Sequence, residues 1–267
     1  MPARNHIAPR DLKQLIGTPE CPSLIDVCLD EDFALDPCLV PGAVRCSHTE
    51  IDRLRARLVN DRAIIVCQKG KKLSQGVAAL LTSLGVQARY LAGGMHAWRS
   101  DPMAPCVPAS AVPAGRHDAT LWVCPDTPGP ADMAALWLIR RFIDRNARAL
   151  FVEADEITGV AKRFGASALR ETGQSPYDMW QSRFGLRTAP LAQLSAVLHG
   201  LSAGQGDAHP VSAGLGALTA GLARQYPAPA HRLDRMLPVF DALYRWARDG
   251  YDAQENNNGG VPTSSRP

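Results

Sequence analysis

In the first hundred residues, short runs of consecutive apolar positions alternate with stretches at helical spacing. Ser23-Leu-Ile-Asp-Val27, Ala43-Val-Arg-Cys46, Ala63-Ile-Ile-Val-Cys67 and Ala88-Arg-Tyr-Leu91 have the length and β-branched content of buried strands. Between them, Thr49 to Leu58 and Leu73 to Leu84 read as helices. In the second, Leu73, Val77, Leu80, Leu81 and Leu84 fall at spacings of three and four on one predicted face. Strands alternating with helices in this rhythm predict an α/β fold, a parallel sheet with helices on both faces.

The pattern changes after residue 104. Four prolines fall between residues 102 and 117 without apolar periodicity, which predicts an extended, semi-rigid linker over 105–117. Beyond it the spacing is mainly helical. Predicted helices cover Asp132–Ile143, Asp155–Phe164, Tyr177–Phe184, Pro190–Leu198 and His231–Arg248, with strands at Leu121–Val123 and Ala149–Val152. The last helix carries Leu233, Met236, Leu237, Phe240, Leu243, Tyr244 and Ala247 on one stripe, and Pro238 inside it is a candidate kink. Trp137, Trp180 and Trp246 lie on apolar stripes and are expected in the core. The chain therefore divides into a first domain over 1–104, the linker, a mainly helical second domain with a short β component over 118–252, and a polar tail over 253–267 expected to be disordered.

Composition removes several function classes. The 267 residues are 46% hydrophobic and 21% charged, the profile of a globular chain, and a net charge of +3 is too small to argue for nucleic-acid binding. No apolar run approaches the ~18 residues of a membrane span, and the first residues lack a signal-peptide core. A cytoplasmic location with reduced thiols is the resulting expectation. Seven cysteines cannot all pair within one chain. No C-x-x-C or H-E-x-x-H spacing supports a metal, and Gly214, Gly216 and Gly221 miss the dinucleotide-loop spacing. No metal or cofactor is expected.

Charge becomes informative where it is local. Of 29 basic residues five are lysine, and three of those, Lys69, Lys71 and Lys72, follow Cys67 directly. Cys67 ends a predicted strand a few residues before a helix, the place where ligands bind in an open α/β sheet. The segment Cys67-Gln-Lys-Gly-Lys-Lys72 can turn its backbone amides inward as an anion nest, with Gly70 giving the needed freedom. The helix dipole and the lysines add positive potential, and all these effects favour thiolate over thiol at Cys67. The implied chemistry is attack by sulfur on an anionic substrate. A P-loop is excluded, because Ile65 and Lys72 stand where glycine and a hydroxyl residue are required. A cysteine phosphatase loop is excluded as well, since Leu73 replaces its arginine and Val66 its histidine. The other six cysteines read as ordinary small buried side chains.

With these landmarks in order, residues 9–101 resemble the rhodanese family of sulfurtransferases. Leu24-Ile-Asp-Val27 resembles the family's first strand, Val40-Pro-Gly-Ala43 the turn into the second, Cys67 to Lys72 the active-site loop, and Leu91-Ala-Gly-Gly-Met-His-Ala-Trp98 the closing Gly-Gly-x-x-x-Trp segment. The resemblance implies Cys67 as nucleophile, a persulfide on it, and a sulfite-like anion held by Gln68, Lys69, Gly70, Lys71 and Lys72. The donor is then thiosulfate or a similar small anion, and the acceptor a thiol or cyanide. Asp26 is expected to support the site by bonding nearby backbone. Cys28 stands where the family often has arginine, an arginine read as structural support, so the loop chemistry is expected to survive its loss.

Residues 119–251 resemble the C-terminal domain of ChrB-type chromate-resistance proteins, on Leu121-Trp-Val123, Trp137-Leu-Ile-Arg-Arg-Phe-Ile-Asp144, Phe151-Val-Glu-Ala-Asp-Glu156 and Val239-Phe-Asp-Ala-Leu-Tyr-Arg-Trp246. Ala135 and Leu136 replace the cysteine and proline the family often has before that tryptophan. Ala168 to Ser175 replaces a histidine-bearing segment, so no metal, redox or sensing role is carried over to those positions. Arg140, Arg141, Glu153 and Asp155 offer an oxyanion-site alternative to the favoured reading as a solvated helix face and a helix start. Together the resemblances imply a sulfurtransferase of a bacterial chromate or sulfur-stress response. The different-class alternative is a non-catalytic oxyanion sensor or persulfide carrier working with chromate-resistance partners. Neither reading involves nucleic acid or membrane.

Overall fold

The computed structural model describes residues 5–50, 55, 58, 62–113, 119–201 and 209–258, the last eight of these as helix backbone. The first domain is a five-stranded, wholly parallel sheet in the order β1-β6-β5-β2-β4. Its strands are β1 (His6–Ile7), β2 (Ser23–Asp26), β4 (Ala43–Arg45), β5 (Arg62–Val66) and β6 (Gln87–Leu91). The apolar runs become its interior: Leu24 pairs with Ile64 and Asp26 with Val66, which brings the carboxyl ends of β2 and β5 side by side. Helices α1 (Pro9–Leu15), α2 (Asp30–Ala34), α3 (Lys72–Ser83) and α4 (Gly94–Arg99) complete the domain.

The helix expected over Thr49–Leu58 falls largely outside the described residues. Helix α3 lies where its periodicity predicts but is rotated. Its buried face is Ser74, Val77, Ala78 and Leu81, while Leu80 and Leu84 are 45% and 40% exposed. A serine takes the core position next to the strand end, and two leucines give way to it.

The predicted linker is more structured than its prolines suggest. Val107–Pro108 forms β7, antiparallel to β3 (Cys38–Leu39), and a 3-10 turn follows at Ala109–Ala111. Trp98, fully buried, donates its indole N–H to Pro105 O at 3.0 Å and fixes the start of this segment. Residues 114–118 of the linker lie outside the described residues.

The second domain is mostly helical around a three-stranded parallel sheet, β10-β8-β9, built from β8 (Leu121–Pro125), β9 (Arg148–Val152) and β10 (Ser167–Ala168). Its helices are α5 (Pro130–Phe142), α6 (Ile157–Phe164), α7 (Pro176–Arg183), α8 (Ala189–His199), α9 (Ser212–Gln225) and α10 (Pro229–Asn258). Helix α9 escapes a periodicity reading because three glycines dilute it and only Ser212 and Leu215 are buried. Pro238 lies within α10 without ending it, and the helix runs on to Asn258, into the stretch expected to be a tail; 259–267 lie outside the described residues. Trp137 and Trp180 are core residues, with the Trp122 and Trp180 rings edge to face at 4.6 Å. Trp246 is not: it is 42% exposed, set edge-on to His209.

The two domains share one contiguous apolar core. At the end of α1, Gly17 (φ 80°) allows the chain to turn where Phe142 and Tyr244 of the second domain press against it. Arg145 donates to Cys21 O at 2.7 Å and Arg248 to Gln14 O at 2.7 Å across the same boundary. No helix among the described residues is long and apolar enough to cross a membrane.

Candidate functional site

Cys67 is the first residue beyond β5, at the sheet's carboxyl edge, and α3 starts at Lys72. The sulfur is buried, and its thiol donates to Ser74 Oγ at 3.0 Å. Ser74 is completely buried in the first turn of α3 and passes its own hydroxyl hydrogen to Lys71 O at 3.3 Å. This relay was invisible to residue spacing, although a hydroxyl in the first turn after a cysteine loop is the signal that could have found it. If Cys67 ionises, the Ser74 hydroxyl can rotate and donate to sulfur, since hydroxyl rotors follow their acceptors.

The loop is held open from behind. Met95 N–H donates to Cys67 O and His96 N–H to Gln68 O, both at 3.0 Å, so the first turn of α4 supplies the braces. Gly70 (φ 60°) and Gly94 (φ 58°) make the approach possible. A Cβ on Gly70 would lie 2.4 Å from Leu91 O, and one on Gly94 would lie 2.1 Å from Cys67 O. With Cys67 O and Gln68 O bonded to α4, and Gly70 O and Lys71 O to α3, the amides of Gln68 to Ser74 have no acceptor among the described residues. Such a run of free amides at a helix start is an anion cradle. Gln68 is half-buried, Gly70 is buried, and Lys69, Lys71 and Lys72 are exposed with no ion-pair partner among the described residues. Gln75 Nε2 ties Gly70 O to the helix at 3.3 Å.

Asp26, 1% exposed at the end of β2, accepts the Cys28 amide through Oδ1 at 2.8 Å, while Oδ2 is buried with no partner among the described residues. Burial pushes this carboxyl above its ordinary range, partly offset by the Cys28 amide. The Cys28 thiol is pushed well up as well, by burial first and then by Asp26. Arg45 reaches the same turn from β4, donating to Cys28 O at 3.2 Å while its guanidinium lies 3.8 Å over the Phe33 ring.

Family models place a rhodanese-like domain at residues 8–101 and a ChrB C-terminal domain at residues 122–247. The chain joins a rhodanese-like domain to a ChrB C-terminal domain. Among solved structures, a rhodanese-like domain protein of Staphylococcus aureus is 31% identical over 35% of this chain and 89% of its own, with a TM-score of 0.31. A protein of Staphylococcus saprophyticus is 28% identical over 34% of this chain and 88% of its own, with a TM-score of 0.29. No curated protein matches the chain. The two domains connect the chain to sulfurtransferase-family and chromate-resistance-related proteins.

In the ChrB domain the four candidate oxyanion ligands do not converge. Arg141 is bound through two nitrogens to Asp241, at 2.7 and 2.8 Å, and Asp241 also takes the Trp137 indole hydrogen. Arg140 donates to Ala147 O and faces Asp234 at 3.6 Å. Glu153 and Asp155 are exposed ahead of α6. The arginines hold α5 against its neighbours and are not solvated as the helix-face reading expected.

Proposed function

We propose that the chain is a sulfurtransferase that carries a sulfane sulfur on Cys67, from thiosulfate or a similar anionic donor to a thiol or cyanide, in chromate or sulfur stress. What carries this reading is one arrangement. A thiol with a hydroxyl partner stands at the base of a loop whose amides from 68 to 74 have no acceptor among the described residues and whose rim carries three lysines.

In the first step the Cys67 thiolate attacks the outer sulfur of thiosulfate. The S–S bond of the donor breaks, and its electron pair leaves with sulfite. The departing charge develops beside the loop amides, which have no acceptor among the described residues and can stabilise it. Lys69, Lys71 and Lys72 act as mobile point charges that draw the dianion in. Ser74 holds the sulfur in line and donates to it when ionised. In the second step an acceptor thiolate, or cyanide, attacks the outer sulfur of the persulfide and returns Cys67 as thiolate.

The test is incubation with thiosulfate, mass spectrometry for one added sulfur on the Cys67 peptide, and a thiocyanate assay with cyanide. The expected result is a persulfide and a rate that Cys67→Ser abolishes. A wild-type rate no higher than that of Cys67→Ser overturns the enzyme reading. A stable persulfide without turnover to cyanide or thiols makes the chain a sulfur carrier for a partner.

A further inference from the structure

Of the six cysteines outside the Cys67 site, Cys21, Cys28, Cys46 and Cys124 are buried, whereas Cys38 and Cys106 are half-buried and come together. Strand β3 pairs with β7 so that Cys38 faces Pro108 and Leu39 faces Val107. One position further along, Cys106 falls opposite Val40, on the side of the ribbon that also carries Cys38, because alternate residues share a face. The two cysteines are thus diagonal neighbours on one face of the ribbon, close enough for each thiol to act on the other's ionisation.

The surrounding chain holds this contact in place. Pro105 O is fixed by the Trp98 indole, and Ala109 N–H donates to Pro37 O at 2.9 Å, which pins the segments beside both cysteines. A cation completes the cluster. Arg99, at the end of α4, pairs with the Asp36 carboxylate and donates to Asp36 O at 3.1 Å, and the same guanidinium bears on the Cys106 sulfur. The Arg99 Nε is buried without a nitrogen or oxygen acceptor among the described residues. The pair is therefore asymmetric. The neighbouring Cys38 thiol, with help from Arg99 against the cost of burial, lowers the Cys106 thiol. The neighbouring Cys106 and burial push the Cys38 thiol up. Arg99 bears on Cys106 and not on Cys38, which makes Cys106 the attacking sulfur of the pair and leaves Cys38 to resolve.

We propose that Cys38 and Cys106 form a hydroperoxide-reactive dithiol in which Cys106 attacks, Cys38 resolves, and the disulfide formed ties the interdomain connection to the rhodanese-like domain. In the first step the Cys106 thiolate attacks one peroxide oxygen and the O–O bond breaks. Cys106 becomes a sulfenic acid, oxidised by two electrons, and the other oxygen leaves as alcohol or water after taking a proton. In the second step Cys38 gives up its proton and attacks the sulfenic sulfur. The S–O bond breaks, water leaves, and the S–S bond forms. Two molecules of a low-molecular-weight thiol return the pair to dithiol by exchange.

The experiment uses the full chain and hydrogen peroxide as the probe. Thiols left after reaction are alkylated, and the non-reduced digest is mapped by mass spectrometry. The expected product is a Cys38–Cys106 cross-linked peptide that forms at the same rate in Cys67→Ser, which separates it from the Cys67 chemistry. Cys38→Ser should divert Cys106 to a sulfenic acid trapped by dimedone. Arg99→Gln, which keeps both thiols, should slow cross-linking at pH 7 severalfold. Cys38 and Cys106 remaining as alkylatable as buried Cys124 after peroxide overturns the proposal, as does a dimedone adduct on Cys38 in Cys106→Ser equal to that on Cys106 in Cys38→Ser. An Arg99→Gln chain that cross-links at the wild-type rate overturns the cation's part in it.

Discussion

Replacing Gly94 by alanine puts a methyl group into the seam between the Cys67 loop and α4. The new Cβ would lie 2.1 Å from Cys67 O and 2.4 Å from Gly70 N, whereas real Cβ contacts essentially never fall under 3.0 Å, so about 0.9 Å must open. Both neighbours are backbone, and no rotamer change relieves them. The left-handed φ of 58° adds roughly 1–2 kcal/mol for a residue with a Cβ, and overpacking typically adds 1–3 kcal/mol. The expected loss is about 2–5 kcal/mol, or roughly 4–20 °C in melting temperature for a chain of this size. Because the shift falls on the nucleophile's own carbonyl, sulfur transfer should drop on the order of a hundredfold, the usual cost of a 1 Å misplacement. Gly76→Ala is the control. It lies on the exposed side of α3 with nothing within 4 Å of its Cβ, and replacing a helix-interior glycine there should gain roughly 0.5–1 kcal/mol. Thermal melts by circular dichroism and the thiocyanate assay read both variants. A Gly94→Ala chain that melts with wild type and keeps its rate would refute the view that the α4 amides hold the loop in shape.

Ser74→Ala removes a hydrogen bond to a sulfur that becomes charged, worth about 1.5–3 kcal/mol, so persulfide formation should slow roughly ten- to a hundredfold with little change in donor KM; an unchanged single-turnover rate counts against the relay. Replacing Lys69, Lys71 and Lys72 together by glutamine should raise the donor KM severalfold, with the loss shrinking as salt rises; a donor KM and salt dependence identical to wild type show that the lysines are only solvated. Asp26 has its carboxyl raised by burial, so the folded state binds the proton more tightly. Its contribution to stability is greatest below the ordinary carboxylate value and falls as pH rises through the raised one. Asp26→Asn keeps an oxygen for the Cys28 amide, and it should gain melting temperature over wild type at pH 8 but not at pH 4; parallel melting–pH curves contradict this. Asp241→Ala strips Arg141 and Trp137 of their shared acceptor and should cost about 3 kcal/mol; a melt within a degree of wild type refutes the link.

The strands of the first sheet were legible because buried parallel strands are written as unbroken apolar runs, and Ala63 to Val66 is fully buried in the structure. The nucleophile was legible because charge is clustered beside it. What could not be read was the partner of the nucleophile. Apolar counting put Leu73, Leu80 and Leu84 on the buried face of α3, and that choice turns Ser74 toward solvent. The true face is set by the contact at Cys67, a tertiary term that overrides local periodicity. The same limit hid the bracing amides of α4, since a backbone donor has no residue type, and hid the Cys38–Cys106 pair, which exists only because β3 and β7 meet across a stretch that reads as linker.

Cys28 tests how far a motif can lose a residue and keep its function. An arginine after the Asp-Val pair would put a cation at the turn beyond β2, next to a buried carboxyl whose Oδ2 has no partner among the described residues. In this chain the cation comes from the neighbouring strand. Arg45, in register with Asp26 across β2 and β4, sends its Nη2 to Cys28 O. It lowers both the Asp26 carboxyl and the Cys28 thiol against the larger effect of burial. Stacking on Phe33 and pairing with Asp30 hold the guanidinium in that position. Arg45→Gln should therefore raise the Asp26 carboxyl further and steepen the loss of stability as pH rises, while Cys28→Arg in the same background should restore the wild-type slope. Failure of that rescue would mean that the cation's place in the register, and not its charge alone, supports the floor of the site.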